Sequence, residues 1–217
     1  VGNGTILENI QTIYANDDAF EFFGGTVNGK NLYAFATADD DFDFDFGYTG
    51  TITNGVAKRD PQFVDSGDAG NGVECDNDGT GSAAQPYTHP KLFNMILIGP
   101  NTSSALANHN LGLRFRRSTQ FTMKNSVVWG WMKGGLSLES NETAQFVKDG
   151  VSVFENNSVG TFNPTLNFIS RATTILTSEQ LKTLALSKSN KEVDVVIPEL
   201  DKPVWVNGWT RFPSKGN

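Results

Sequence analysis

Cysteine is almost missing: Cys75 is the only one in 217 residues, which rules out an internal disulfide framework and any metal site built from several thiolates. Histidine is nearly as scarce, with only His89 and His109. No apolar run approaches the roughly 18 residues that a membrane span needs. Helix signals are sparse before residue 177. Basic residues are few in the first part of the chain. Residues 1–90 hold 15 acids and three bases (Lys30, Lys58 and Arg59), a net of −12. Residues 91–217 hold nine acids and 14 bases, a net of +5. A chain of net charge −7 lacks the basic face that displaces counterions from phosphates, so nucleic acid is not an expected partner. The acidic and mildly basic parts suggest internal pairing or a polarised surface.

What is present is short β-rich runs punctuated by Gly, Asn, Asp and Ser, in a chain long enough for one domain with a real core. An internal repeat stands out. Asn16-Asp17-Asp18-Ala19-Phe20-Glu21-Phe22 superimposes on Ala38-Asp39-Asp40-Asp41-Phe42-Asp43-Phe44 with a shift of 22, which also brings Asn9 onto Asn31 and Ile10 onto Leu32. A period near 22 with strand alternation suits one coil of a parallel β-helix, whose coils bury their apolar side only by stacking at about 4.8 Å. Alternation then points Phe20, Phe22, Phe42 and Phe44 inward and Glu21 and Asp43 outward. Asn9 and Asn31 fall at equivalent bends, where asparagines can form ladders.

Val73-Glu74-Cys75, Leu113-Arg114-Phe115 and Leu136-Ser137-Leu138 repeat the in-out-in pattern, and residues 51–72 and 79–90 read as insertions between coils. Phe93–Ile98 and Asn125–Trp129 are further strand candidates. Thr177–Leu186 opens with a helix N-cap signature and carries Leu at helical spacing. Pro198, Pro203 and Pro213 then confine the tail to irregular structure, with Trp205 and Trp209 covering an open side or end. The expectation is an all-β parallel β-helix over residues 1–175, with residues 176–217 forming a C-terminal helix and capping tail of the same domain. Because a β-helix that began at Val1 would leave an open sheet edge, the chain is expected to be the C-terminal part of a longer polypeptide.

The stretches Asn16–Asn28 and Asp39–Gly50, followed in order by Arg59-Asp60-Pro61, Glu74-Cys75-Asp76-Asn77-Asp78 and Phe93-Asn94-Met95, resemble a large family of exported Bacteroidota proteins. Members of that family are often labelled as lipoproteins or as type IX secretion substrates. The resemblance is dense over residues 4–130 and thin after about 140. It implies the right-handed parallel β-helix of the pectin-lyase-like group. It also implies an extracellular or outer-membrane location, and a β-rich N-terminal half that would be a partner at the open coil end. It implies no particular activity.

The chemistry-bearing residues fall in two outward columns. Glu21, Asp43, Glu74, Arg114 and Ser137 form one, and Asp45, Asp76, Arg116 and Glu139 the other. Stacked acids repel and invite a cation or an arginine. Hard oxygen ligands suit Ca²⁺, so Asp40, Asp41, Asp43, Asp45, Glu74, Asp76 and Asp78 are the candidate metal ligands, with Asp39 beside them. The alternative is that the acids cap turns and pair with Arg114 and Arg116. If the chain is an enzyme, Glu21, Asp43, Glu74, Arg114 and Arg116 are the catalytic candidates, for a Ca²⁺-dependent polysaccharide lyase or a hydrolase with paired carboxylates about 5–9.5 Å apart. No Gly-His-Gly or Gly-x-Ser-x-Gly motif is present, and both histidines read as solvent-facing loop residues. Tyr48, Trp129, Trp131, Trp205 and Trp209 are candidates for sugar stacking, although packing accounts for most of them, and Phe20–Phe46 reads as core. Cys75 reads as a small buried apolar residue. The resulting expectation is an exported surface module that binds glycan or a protein partner, with possible structural calcium. A lyase and a non-catalytic assembly subunit are the alternatives.

Overall fold

The computed structural model describes residues 2–194 and 200–212; Val1, Pro198 and Pro213 lie outside them. Long strands alternate with short ones along the first half: β1 (Ile6–Ile13), β2 (Glu21–Phe23), β3 (Asn28–Phe35), β4 (Phe42–Asp45), β5 (Thr51–Lys58), β6 (Val73–Cys75), β7 (Lys91–Ile98) and β8 (Leu111–Phe115). Then come β9 (Thr122–Lys124), β10 (Val127–Trp129), β11 (Gly134–Leu138), helix α1 (Asn141–Lys148), β12 (Val153–Glu155), β13 (Ser158–Gly160), β14 (Phe168–Ser170), helix α2 (Ser178–Leu186) and β15 (Lys191–Glu192).

The strands sort into two sheets, and every pairing is parallel. The first sheet runs β1-β3-β5-β7-β10-β13-β15, with β9 joining β7 to β12, and the second runs β2-β4-β6-β8-β11-β14. The chain therefore passes from one sheet to the other and back, laying each strand beside its predecessor. Glu21 pairs with Asp43 and Phe22 with Phe44, the register that the 22-residue repeat predicts. The first sheet keeps that shift between β1 and β3, then moves to 23 residues between β3 and β5, where Gly29 faces Ile52. Thr51–Lys58 is thus a full strand and not an insertion. It lacks the Asp-Phe signature of the repeat but buries Ile52, Val56 and Ala57. The excursions between strands are residues 59–72 and 76–90.

Asparagine bends the first sheet. Asn9, Asn31, Asn54 and Asn94 have φ of 57–61° in mid-strand, a left-handed conformation that asparagine tolerates better than most residues. Their amides form a line: Asn31 Nδ2 donates to Asn9 Oδ1 at 2.9 Å, Asn54 to Asn31 at 2.9 Å and Asn94 to Asn54 at 3.3 Å. Asn125 and Asn156 continue the device between β9 and β10 and between β12 and β13, Asn156 Nδ2 donating to Asn125 Oδ1 at 2.6 Å.

The core lies between the sheets. Phe20 stacks on Phe42 and Phe22 on Phe44, each at 5.3 Å between ring centroids. Tyr48, Trp131 and Cys75 are buried with them, so Tyr48 and Trp131 are packing residues and unavailable to a sugar. The expected C-terminal helix is α2, opened by a capping box between Thr177 and Gln180. Helix α1 is an addition to the sequence reading. Ser140 caps it and Thr143, Ala144 and Val147 anchor it, a pattern too short to stand out. The tail lies along a side and not an end of the stack. Trp205, Val206 and Trp209 pack with Tyr33, Phe35, Val56 and Ile96 on the outer face of the first sheet. Lys58 binds Asp201 at 2.6 Å, and the Gln11 side chain holds the Arg211 backbone at both N–H and carbonyl.

Candidate functional site: the outer face of the second sheet

Parallel register without slippage turns a sequence alternation into a column. On the outer face of the second sheet, Glu21, Asp43, Glu74, Arg114 and Ser137 stand in consecutive pairings. Phe23 and Asp45 begin a second column, which Asp76, Arg116 and Glu139 extend just beyond the ends of their strands.

The columns divide into two electrostatic regimes. From β6 onward, charges are paired. Arg114 bridges Glu74 at 3.0 Å and Glu139 at 3.1 Å, Arg116 holds Asp76 at 2.8 Å and also Glu74, Arg117 reaches Asp76 at 2.8 Å, and Arg171 reaches Glu139 at 3.1 Å. Burial would raise Glu139, but Arg114 and Arg171 pull its carboxyl below the usual range.

Toward β2 and β4 the acids have no such partners. Asp18, Glu21 and Asp43 place carboxylate oxygens within 4.8 Å of one another, as do Asp40, Asp43 and Glu74, and, further out, Asp17, Asp18 and Asp39. None of Asp18, Glu21, Asp40 and Asp43 has a salt-bridge partner among the described residues. Burial, reinforced by the charges of Asp18 and Glu74, pushes Asp43 up to about 8. Burial and the nearby Asp39 and Glu21 take Asp18 to about 7, against one backbone N–H from Asp40. Burial and Asp76 take Asp45 to about 7, and one of its carboxylate oxygens is enclosed with no hydrogen-bond partner. Burial and the charge of Glu74 also hold Asp40 well above its usual range, although its Oδ1 accepts from the Asn71 backbone at 2.7 Å and side chain at 2.8 Å. Burial also lifts Glu74, while Arg116 and Arg114 pull it back. A group of close, desolvated carboxylates reaches low energy by holding protons or by holding a cation.

The remaining candidates lie elsewhere. Asp41 is fully buried on Arg59 at 3.0 Å, beneath a guanidinium that also binds the Thr37 and Asn71 carbonyls and sits 5.4 Å from the Trp131 ring. Asp78 is exposed and folds its own loop by accepting from Thr80 and Ser82, which lowers its pKa. The histidines are not the solvent-facing loop residues expected. His109 has no exposure, and burial lowers it to about 4. His89 is half-buried between Gln120 and Thr122, at 3.1 and 3.0 Å.

Two elements escaped the sequence reading. Asp17 and Asp18 were not proposed as ligands, although the repeat aligns Asp18 with Asp40 and so signals a shared position. Phe46 reads as core, yet it is 57% exposed beside Phe23, which is 63% exposed, with ring centroids 5.7 Å apart. A cavity of about 250 Å³ lies away from this face, lined by Val147 of α1, Leu181 and Ala185 of α2, and Phe154 of β12.

Two parallel sheets visited alternately, with an acidic stretch on one outer face, define a stacked parallel-β protein. The family described as the pectate-lyase-like β-helix domain matches residues 1–210, and the chain belongs to it. No curated protein and no solved structure matches the chain.

Proposed function

We propose that the two sheets are walls of a right-handed parallel β-helix exported to the cell surface, and that the acidic stretch of its second sheet binds a divalent cation and a glycan. Calcium is the cation that suits these groups, since all the donors are oxygens and the carboxylates come from several strands and turns. Asp18, Glu21, Asp40, Asp43 and Glu74 would hold it, with Asp43 common to two groupings. The observation that carries this reading is the contrast of charge. Asp18, Glu21, Asp40 and Asp43 have no salt-bridge partner among the described residues, whereas Glu74, Asp76 and Glu139 on the same face are each held by arginines. Family membership supports a carbohydrate-related or structural role, and a rigid stack offers a long face suited to an extended ligand. The free edge of β1 is where another β-rich segment or chain would add.

Binding is favoured over bond cleavage because a lyase needs an uncommitted base near the cation. Arg114 and Arg116 each hold two carboxylates. The test is calcium titration by calorimetry on the wild-type chain and the Asp43→Asn variant, followed by glycan-array binding with and without chelator. Calcium binding that the variant loses, together with chelator-sensitive glycan retention, is expected. Equal calcium response in both proteins would remove the cation site, and unsaturated products from an acidic polysaccharide would make the chain a lyase.

A further inference from the structure

The exposed pair Phe23 and Phe46 has no role in the core, and its backbone is built to keep it outside. Phe46 has a φ of 48°, a left-handed conformation that is unusual for a bulky residue. Strand alternation would turn Phe46 inward after Phe44; the left-handed corner turns it outward. The corner is made by glycine: Gly24 and Gly47 have φ of 72° and 79°. A Cβ on Gly24 would meet the Phe46 carbonyl oxygen at 2.6 Å, and one on Gly47 would meet the Pro86 carbonyl oxygen at 2.7 Å. The Gly24 N–H donates to the Asp45 carbonyl at 2.8 Å, tying the two corners together. Two adjacent corners thus hold two rings tilted by 41° to one another, Phe23 level with Asp45 and Phe46 one residue beyond it, next to the column of Glu21 and Asp43.

From this we infer that Phe23 and Phe46 form a stacking platform for one pyranose ring of a neutral glycan. The inference rests on the glycan reading above and names the ligand class of the same face. A pyranose presents a C–H face that packs on aromatic rings and an equator of hydroxyls that donate to carboxylates. The platform supplies the first surface, and Asp45, Glu21 and Asp43 supply the acceptors. A uronate would bring its carboxylate toward Asp45, which lies outside the carboxylate groupings that would hold the cation, a juxtaposition that costs affinity; a neutral ring does not.

The test is affinity electrophoresis and calorimetry with soluble neutral polysaccharides (a mixed-linkage glucan, a xylan and a mannan) and with polygalacturonate as the charged control. Wild type, Phe23→Leu, Phe46→Leu and Phe46→Trp are compared. Leucine retains apolar bulk and removes the ring, and unchanged melting temperature and calcium response show that the variants fold. Retention of a neutral polysaccharide by wild type, weakened about tenfold in either leucine variant and kept by Phe46→Trp, is the expected result. Equal binding by wild type and both leucine variants would overturn the platform while leaving the glycan reading intact. Binding of polygalacturonate alone would overturn the neutral ligand class. If wild type retains no polysaccharide, the glycan reading falls and the platform with it. Loss of self-association in Phe23→Leu, with no glycan retained by wild type, would instead make the pair a contact between copies of this chain.

Discussion

The rungs β2–β4 and β6–β11 share one sheet, one register and one alternation, yet they handle outward charge in opposite ways. Around β6, β8 and β11, carboxylates and guanidiniums interlock, so that Arg114 and Arg116 each serve two acids. Around β2 and β4, Asp18, Glu21, Asp40 and Asp43 converge with no salt-bridge partner among the described residues. The interlocked region is complete as built, because its charges satisfy each other without outside help. The all-acid region carries an electrostatic cost that protons or a cation must relieve. The difference separates a structural use of charge from a functional one on the same surface.

The comparison can be broken most forcefully by making the paired region resemble the acidic one. Arg116→Gln leaves Glu74 and Asp76 short of a partner and is expected to cost about 3 kcal/mol at pH 7, read by urea denaturation. Part of the loss should return at pH 5, where Glu74, whose carboxyl burial already lifts, can take a proton more readily. The reverse change relaxes the acidic region. Asp43→Asn removes the carboxylate at the centre of the cluster and is expected to raise the melting temperature near pH 8 by about 3 °C, on the order of 1 kcal/mol.

The pH dependence of wild type sharpens the contrast further. Asp43 rises from 3.8 to about 8, and Asp18 and Asp45 to about 7. Between these limits these three groups hold protons in the folded chain that the unfolded chain has released, so their contribution to stability is greatest near pH 4 and declines as pH rises toward 8. Melting curves at steps of pH should show that decline, a smaller slope in Asp43→Asn, and recovery on adding calcium at pH 8. The smallest effect belongs to a solvent-exposed pair outside both regions. Removing Lys30 from Glu8, which it meets at 2.9 Å, should change stability by about 0.5 kcal/mol or less.

The sequence made the register of β1 to β4 legible, because near-copies of one segment must stack in phase. It made the outward column legible too, since alternation is strict within a strand. It failed where the rule ends. Phe46 lies one residue past β4, and a left-handed corner reverses the side to which alternation assigns it. Asp41 lies one residue before β4, and Arg59, arriving from the loop 59–72, seals it inside. β5 was hidden because its pairing moves to a 23-residue shift and its residues copy no part of the repeat. Asp18 was within reach of the repeat alignment, but its convergence with Glu21 and Asp43 depends on a turn that periodicity does not describe.

The tail that binds Gln11 through Arg211 spans 200 residues of sequence in one contact. In a stack whose layers touch only their neighbours, unravelling can begin at either terminus and proceed stepwise. A strap fastened across several layers at once changes that, since no layer beneath it can loosen before the strap lets go. The molecule should therefore resist peeling from its first strand, and melt in one cooperative event where an unstrapped stack would fray.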